Sequence, residues 1–289
     1  DEMQAEPQPR QRLALALERV EFDRADLPER QQTMRGAVAW SYDLLSEFEK
    51  GVFRKLSVFS GGFRIESAET VCGASNDMGV LDAVTSLIDK NLIIQKELSG
   101  GESRFRMLEV VRDFAAESLE AKGETDAVCR KHAEFFVSLT ETAEPLLQSA
   151  QSAVWLDRLQ EEHDNIRAAM HWSLENEPSM AIRLAVAARN YWLVHSHLTE
   201  GFSWLKAASE TGFEPPPAQR FKLLNGLGLA ARFRGDYETA RCAYEDGLAA
   251  GKEARQVPEI PDSIFNSSCL NPTTDLDPKR RPRYLTPVP

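Results

Sequence analysis

RFRMLEVVRDFAAESLE, residues 104–120, alternates polar and apolar side chains at its start and then steps by three and four, with neither Gly nor Pro between the halves. A period of two is the mark of a half-buried strand, and a period near 3.6 that of an amphipathic helix. The stretch therefore reads as a strand running straight into a helix. Upstream, LIIQKEL (92–98) and SRFRML (103–108) both alternate around Ser99-Gly100-Gly101, so they are expected to pair as a hairpin, with Phe105 and Met107 on its inner face. Within the following helix, Val110, Phe114 and Leu119 are the expected packing positions.

Before the hairpin the pattern is helical. VLDAVTSLIDKNLI (80–93) predicts a helix with Leu81, Val84, Leu87 and Ile88 inward and Asp82, Thr85, Ser86, Asp89 and Lys90 outward. A shorter one spans Ile65 to Cys72, ended by Gly73. Glu47 to Phe59 carries Phe48, Val52, Phe53, Leu56 and Phe59 at helical spacing. Ser46 is its expected N-cap, and Glu49, three residues on, completes a capping box. SGGF (60–63) stops that helix, and Gly61-Gly62 and Gly100-Gly101 read as turn glycines rather than phosphate cradles. A longer helix over Glu29 to Leu45 gathers Met34, Ala37, Val38, Trp40 and Leu44 or Leu45 into a broad apolar surface. Pro28 separates it from a short helix over Leu13 to Val20. Three helices followed by a β-hairpin form the layout of a winged helix.

Downstream, Asp126 to about Arg255 is helical throughout. Leu156, Leu159, His163, Ile166, Met170 and Leu174 make one apolar stripe. Then comes an internal repeat. Residues 195–209 (HSHLTEGFSWLKAAS) align with residues 234–248 (RGDYETARCAYEDGL), placing Leu198 on Tyr237, Gly201 on Ala240 and Leu205 on Tyr244 at an offset of 240 − 201 = 39 residues. That period fits helix hairpins, each of which buries its face by stacking on a neighbour. After Gln256 the chain turns rich in Pro, Asn, Ser and Thr without apolar periodicity, and a disordered tail is expected there.

Composition excludes several functions. The net charge of −11 argues against a surface built mainly to neutralise phosphates. No run reaches the roughly 18 apolar residues of a bilayer span, so a cytoplasmic protein without membrane partners is expected. The four cysteines, Cys72, Cys129, Cys242 and Cys269, lie too far apart for a zinc motif or a disulfide framework. His195 and His197 are expected in a surface loop and His163 as a hydrogen-bonded structural histidine, so no metal site and no catalytic residue is expected. Neither Gly-x-x-x-x-Gly-Lys-Ser/Thr nor Gly-x-Gly-x-x-Gly occurs. The outward carboxylates Asp82 and Asp89 would repel a DNA backbone, which disfavours base reading by that helix. The basic cluster Lys279, Arg280, Arg281 and Arg283 lies in the Pro-rich tail, where a solvated segment is the expectation.

Several long stretches resemble one family: residues 27–63 (LPERQQTMRGAVAWSYDLLSEFEKGVFRKLSVFSGGF), 80–93, 104–120, 155–175 (WLDRLQEEHDNIRAAMHWSLE) and 197–208 (HLTEGFSWLKAA). They are similar to the region that follows the ATPase core in bacterial signal-transduction ATPases with numerous domains, the predicted ATPases of LuxR-type and AfsR-type transcription regulators. The resemblance covers about Leu13 to Arg255 and implies a mainly α chain. Residues 1–28 would be a linker, 29–123 a winged-helix regulatory domain, 124–255 tetratricopeptide-like helical repeats and 256–289 the tail. Residues 224–248 resemble one such repeat, with Leu224, Leu227, Gly228, Gly235, Tyr237, Ala240 and Tyr244 at the family's packing positions. The chain begins without Met, which suggests a fragment, and the family's phosphate loop would lie upstream of it. ATP or ADP is thus expected only with that upstream domain. The implied partners are the ATPase core itself and a protein or small-molecule inducer at the repeats. In related switch ATPases a Met-His-Asp motif after the wing contacts the nucleotide phosphates. The matching triplet here is Met107-Leu108-Glu109, in which Leu108 offers no hydrogen bond, leaving Arg112 one turn later as the polar candidate.

Overall fold

The computed structural model describes residues 29–73, 79–97, 102–194 and 197–254. The expected helix at Leu13–Val20, the turn at Ser99-Gly100-Gly101, His195 and the tail from residue 256 lie outside the described residues. The described chain is mainly helical and forms two compact units. One comprises the residues up to Val58 together with Gly62–Val128, and the other Phe59–Gly61 together with the chain from Cys129 onward.

The first unit holds α1 (Glu29–Asp43), α2 (Glu47–Lys55), α3 (Ile65–Cys72), α4 (Val80–Asp89), the strands β1 (Ile94–Glu97) and β2 (Ser103–Arg106), and α5 (Glu109–Ala121). α2 starts where the capping box predicts. Ser46 Oγ accepts from the Glu49 amide at 3.3 Å, and Glu49 Oε2 accepts from the Ser46 amide at 2.6 Å. The helix tightens into a single 3-10 turn over Leu56–Val58, so Phe59 lies beyond it. β1 and β2 pair antiparallel, Ile94 opposite Arg106 and Gln95 opposite Phe105. Phe63 adds a third rung, exchanging both backbone bonds with Phe105 at 2.7 and 2.8 Å. This pairing explains Gly62, whose φ is +106° and whose Cβ would lie 2.6 Å from the Phe105 carbonyl oxygen. Gly62 is therefore a close-approach glycine as well as part of a helix stop.

The core of this unit is built from Val52, Phe53, Leu56, Ala68, Val71, Val84, Leu87, Ile93, Phe105, Ala115 and Leu119, all buried. Tyr42, Phe53 and Phe114 pack as an aromatic trio with centroids 5.4 to 6.4 Å apart, joining α1, α2 and α5. In α5 the buried positions are Val111, Ala115 and Leu119, while Val110 and Phe114 are half-buried. Met107 leaves the strand before its expected inner position and is half-buried in the two-residue link to α5.

The second unit takes in most of α6 (Thr125–Leu146) and then α7 (Ser152–Glu161), α8 (His163–Asn176), α9 (Pro178–Val194), α10 (Leu198–Ser209), α11 (Pro217–Phe233) and α12 (Tyr237–Ala254). The apolar stripe predicted across residues 156–174 is interrupted at Glu162, where α7 ends and α8 begins. Glu162 is buried there because Asn165 Nδ2 donates to its Oε2 at 2.7 Å. Asn165 Oδ1 in turn accepts from the Ser60 amide at 2.7 Å and lies 3.4 Å from His132 Nε2. His132 packs against Phe59 and Phe136 and is fully buried, and that burial pushes its pKa down to about 4.

α9 with α10 and α11 with α12 form two consecutive helix hairpins, each packed on the next. Their second helices start at Leu198 and Tyr237, and 237 − 198 = 39, the repeat offset read from the sequence. Each hairpin closes over a glycine. A Cβ on Gly201 would meet the Trp192 Cβ at 2.6 Å, and one on Gly228 would meet the Tyr244 ring at 2.8 Å.

Candidate functional site

The surface that a winged helix offers to nucleic acid consists of its third helix and its wing. In α4 the buried residues are Val80, Ala83, Val84 and Leu87, and the exposed ones are Leu81, Asp82, Thr85 and Asp89. Leu81 is 51% exposed, against the expectation that it faces inward. It occupies the first turn of α4. Ser86 and Lys90, expected outward, are instead held inward by Glu49 of α2: the Ser86 hydroxyl and Lys90 Nζ (3.3 Å) both donate to Glu49 Oε1. Burial alone would raise the Glu49 pKa, but the bonds from Ser86, Ser46 and Lys90 outweigh it and bring it to about 2. Lys90, the C-cap residue of α4, thus cross-links two helices, and the exposed face of α4 carries the carboxylates Asp82 and Asp89.

The wing differs. Lys96 and Arg106 are exposed, whereas Arg104 is buried and donates to the Gly62 carbonyl at 3.1 Å, and Arg64 pairs with Glu102. The hairpin thus exposes two cations, Lys96 and Arg106, beside the exposed carboxylates Glu97 and Glu102.

The corner matching the nucleotide-contacting triplet is solvent-facing. Leu108 is the N-cap of α5 in extended backbone and is 38% exposed, Glu109 is exposed, and Met107 is half-buried. The Arg112 amide donates to the Leu108 carbonyl at 2.9 Å, placing the half-buried Arg112 one turn above it. The link between β2 and α5 is only two residues long. Leu108 brings no polar group to it.

α1 ends at Asp43, short of the expected Leu45. Val38 is buried, whereas Met34, Ala37 and Trp40 are exposed, Trp40 by 68%. Residues 34, 37 and 40 follow three-residue steps along the helix. Just beyond its end Leu44 is exposed and Leu45 buried. Exposed apolar side chains grouped in this way, with a Trp among them, make α1 a candidate docking surface.

In the second unit a cavity of about 340 Å³ lies above α11, bounded by the end of α10, the loop after it and α12. Ala208, Phe213, Leu223 and Leu227 provide apolar walls, and Arg220 and Asp246 provide charge. Of the repeat-packing residues, Leu227, Gly228 and Ala240 are buried, and Leu224 and Tyr244 are half-buried. Gly235, with φ of +81°, makes the turn between α11 and α12. Tyr237 is 47% exposed, contrary to its expected packing role. As the first residue of α12 it leans back toward the helix start, past the end of the covering helix. His163 sits on the inner side of α8 as expected for a structural histidine, and His197 is the N-cap of α10 with its ring stacked on that of His163. Sequence reasoning missed this pairing because the two residues are 34 positions apart and share no local pattern.

Residues 45–120 match the winged helix-turn-helix domain family, so the chain contains such a domain. It spans α2 to α5, the elements just described. Over 185 residues the chain is 36% identical to Rv0890c of Mycobacterium tuberculosis strain H37Rv, a protein named as a candidate HTH-type transcriptional regulator; the match covers 63% of this chain and 21% of that one. Mb0914c of Mycobacterium bovis, named likewise, matches over the same lengths. An uncharacterised protein of M. tuberculosis, Rv0894, is 36% identical over 108 residues, which cover 35% of this chain and 27% of its own. The chain therefore spans about a fifth to a quarter of the length of the curated relatives it matches. No solved structure shows significant similarity. Among the described residues, no helix is long and apolar enough to cross a membrane.

Proposed function

We propose that this chain is a non-catalytic regulatory portion of a bacterial signalling ATPase and transcription regulator. Its winged helix docks through α1 onto the ATPase core of the full-length protein, and its helix hairpins, which we read as tetratricopeptide-like, bind a protein partner or inducer. The observation that carries the reading is the apolar surface at α1: Met34, Ala37 and Trp40 stand exposed on the helix that carries the buried Val38, and Leu44 stands exposed just past its end. An apolar surface left in water is costly unless a partner covers it, and a central Trp is the residue type that most often dominates such an interface. The resemblance to switch ATPases supplies the partner. A docked clamp shifts the nucleotide-state equilibrium only by binding one state better than the other, so ATP and ADP belong to the core and not to this chain. The cavity above α11, with apolar walls and Arg220 and Asp246 at its rim, supports a small-molecule or side-chain anchor at the hairpins. Cytoplasmic location follows from the same reading. The test is binding of this chain to the separately produced ATPase core by calorimetry in the presence of ADP and of a non-hydrolysable ATP analogue. Docking is expected in one state over the other, and equal or absent binding in both would refute it.

A second reading, DNA binding by the winged helix, is favoured by the domain match, by the relatives' names and by Lys96 and Arg106 on the wing. Mobility shift at low salt decides it. Sequence-specific retardation that is lost in the double variant Lys96→Ala/Arg106→Ala would establish this reading over docking alone.

A further inference from the structure

We infer that His163, His197 and Glu200 form a binding site for a divalent transition-metal ion of the zinc class, joining α8 to the start of α10. Three potential ligand atoms, one from each residue, lie within 4.8 Å of one another. The hydrogen bonds around them show which atoms face the site. Gln160 Oε1 accepts from the Tyr191 hydroxyl at 3.2 Å and from His197 Nε2 at 2.9 Å. The Tyr191 hydroxyl also lies 3.0 Å from His163 Nδ1, and His163 Nε2 lies 3.1 Å from Glu200 Oε2. In the tautomer with the proton on Nδ1, donated to the Tyr191 oxygen, the Nε2 lone pair faces Glu200 Oε2 and can share a cation with it.

The carboxylate is arranged to the same end. Glu200 Oε1 takes Arg167 Nε at 2.7 Å and Trp204 Nε1–H at 3.2 Å, and Oε2 is left toward His163. Ligating histidines and carboxylates characteristically have their second atoms held in this way by outer partners. The 3.1 Å separation of Nε2 and Oε2 is close to the edge of a tetrahedron with metal–ligand bonds of about 2.0–2.1 Å. Two imidazoles and one carboxylate are a donor set that suits zinc, with water filling the fourth position. The His163 and His197 rings are stacked, with centroids 4.0 Å apart and 17° between planes. Parallel rings cannot both aim an in-plane lone pair at one ion, so coordination requires the half-exposed His197 ring to tilt toward the site.

The alternative is that His163 carries its proton on Nε2 and donates it to Glu200, with the Tyr191 hydroxyl turned to Nδ1. Titration of Zn2+ into the full chain by calorimetry at pH 7.5, with Co2+ absorption as the report on coordination, separates the two. One ion per chain is expected, with the intense visible bands of a four-coordinate Co2+ site. His163→Ala and Glu200→Gln should each weaken Zn2+ binding about 100-fold, and Tyr191→Phe about tenfold. Because His163→Ala also removes packing, His197→Gln serves as a second ligand variant at a half-exposed position, read with circular dichroism to confirm folding. Absence of Zn2+ binding by the wild-type chain, or binding left unchanged by Glu200→Gln and His197→Gln, would overturn the site.

Discussion

Gly201→Ala tests the hairpin packing at its tightest point. The added methyl would lie 2.6 Å from the Trp192 Cβ and 3.0 Å from its Cγ. A Cβ is carried by the backbone, so no rotamer change relieves the clash, and Trp192 is buried with no room to swing away. α9 and α10 must separate. Ala gains about 1 kcal/mol over Gly in helix propensity, and overpacking of this kind costs about 1–3 kcal/mol or more. The net expectation is a loss of up to about 2 kcal/mol, or a melting temperature lower by up to roughly 8 °C for a unit of this size. Gly51→Ala in α2 is the matched control, since a methyl there meets nothing within 4 Å and should stabilise by about 0.5–1 kcal/mol. Urea unfolding followed by circular dichroism measures both. If Gly201→Ala proves as stabilising as Gly51→Ala, the close approach of α9 and α10 is wrong.

Three further outcomes follow from the polar networks and the hairpin stack. Glu49 titrates near 2 in the folded unit against an ordinary value of 4.5, so it adds stability above pH 4.5 that is lost as pH falls through about 2. Glu49→Gln should remove about 2 kcal/mol at pH 7 and flatten the acid limb of the unfolding profile, and an unchanged limb would argue against the Ser86–Glu49–Lys90 link. His132 is depressed to about 4, so the unfolded chain takes up a proton first, and stability should fall as pH drops from about 6.5 to 4. His132→Phe, placed between Phe59 and Phe136, should abolish that slope while keeping the unit folded, as thermal melts across pH would show. Gly228→Ala presses on the half-buried Tyr244 ring, which can rotate, and should cost less than Gly201→Ala in the same urea series.

Much of the fold was legible because its signals are local. The period change within residues 104–120, the Ser46–Glu49 capping box and the 39-residue offset between Leu198 and Tyr237 all depend on neighbours in sequence, and all appear where they were read. What was not legible depends on which face an element turns to a distant one. Trp40 and Leu81 are apolar residues at plausible core spacing, and only the packing of α1 and α4 decides that they stay in water. Ser86 and Lys90 look like surface residues until Glu49, some 40 positions earlier, is placed beneath them. The same is true of His163, His197 and Glu200. Their spacing fits no ligand motif, and the turn between α9 and α10 is what brings them together. Leu108 is the reverse case, a substitution visible in the triplet itself whose consequence, an exposed corner without a phosphate ligand, is local.

The central claim is that the winged helix works as a protein clamp through α1. Calorimetry of this chain against the separately produced ATPase core, wild type beside Trp40→Glu, tests it most directly. A charge on this surface should weaken binding by 2 kcal/mol or more, about 30-fold, while the Lys96→Ala/Arg106→Ala wing variant leaves it unchanged. Equal affinity of the wild type and Trp40→Glu, or loss of binding in the wing variant alone, would contradict the account.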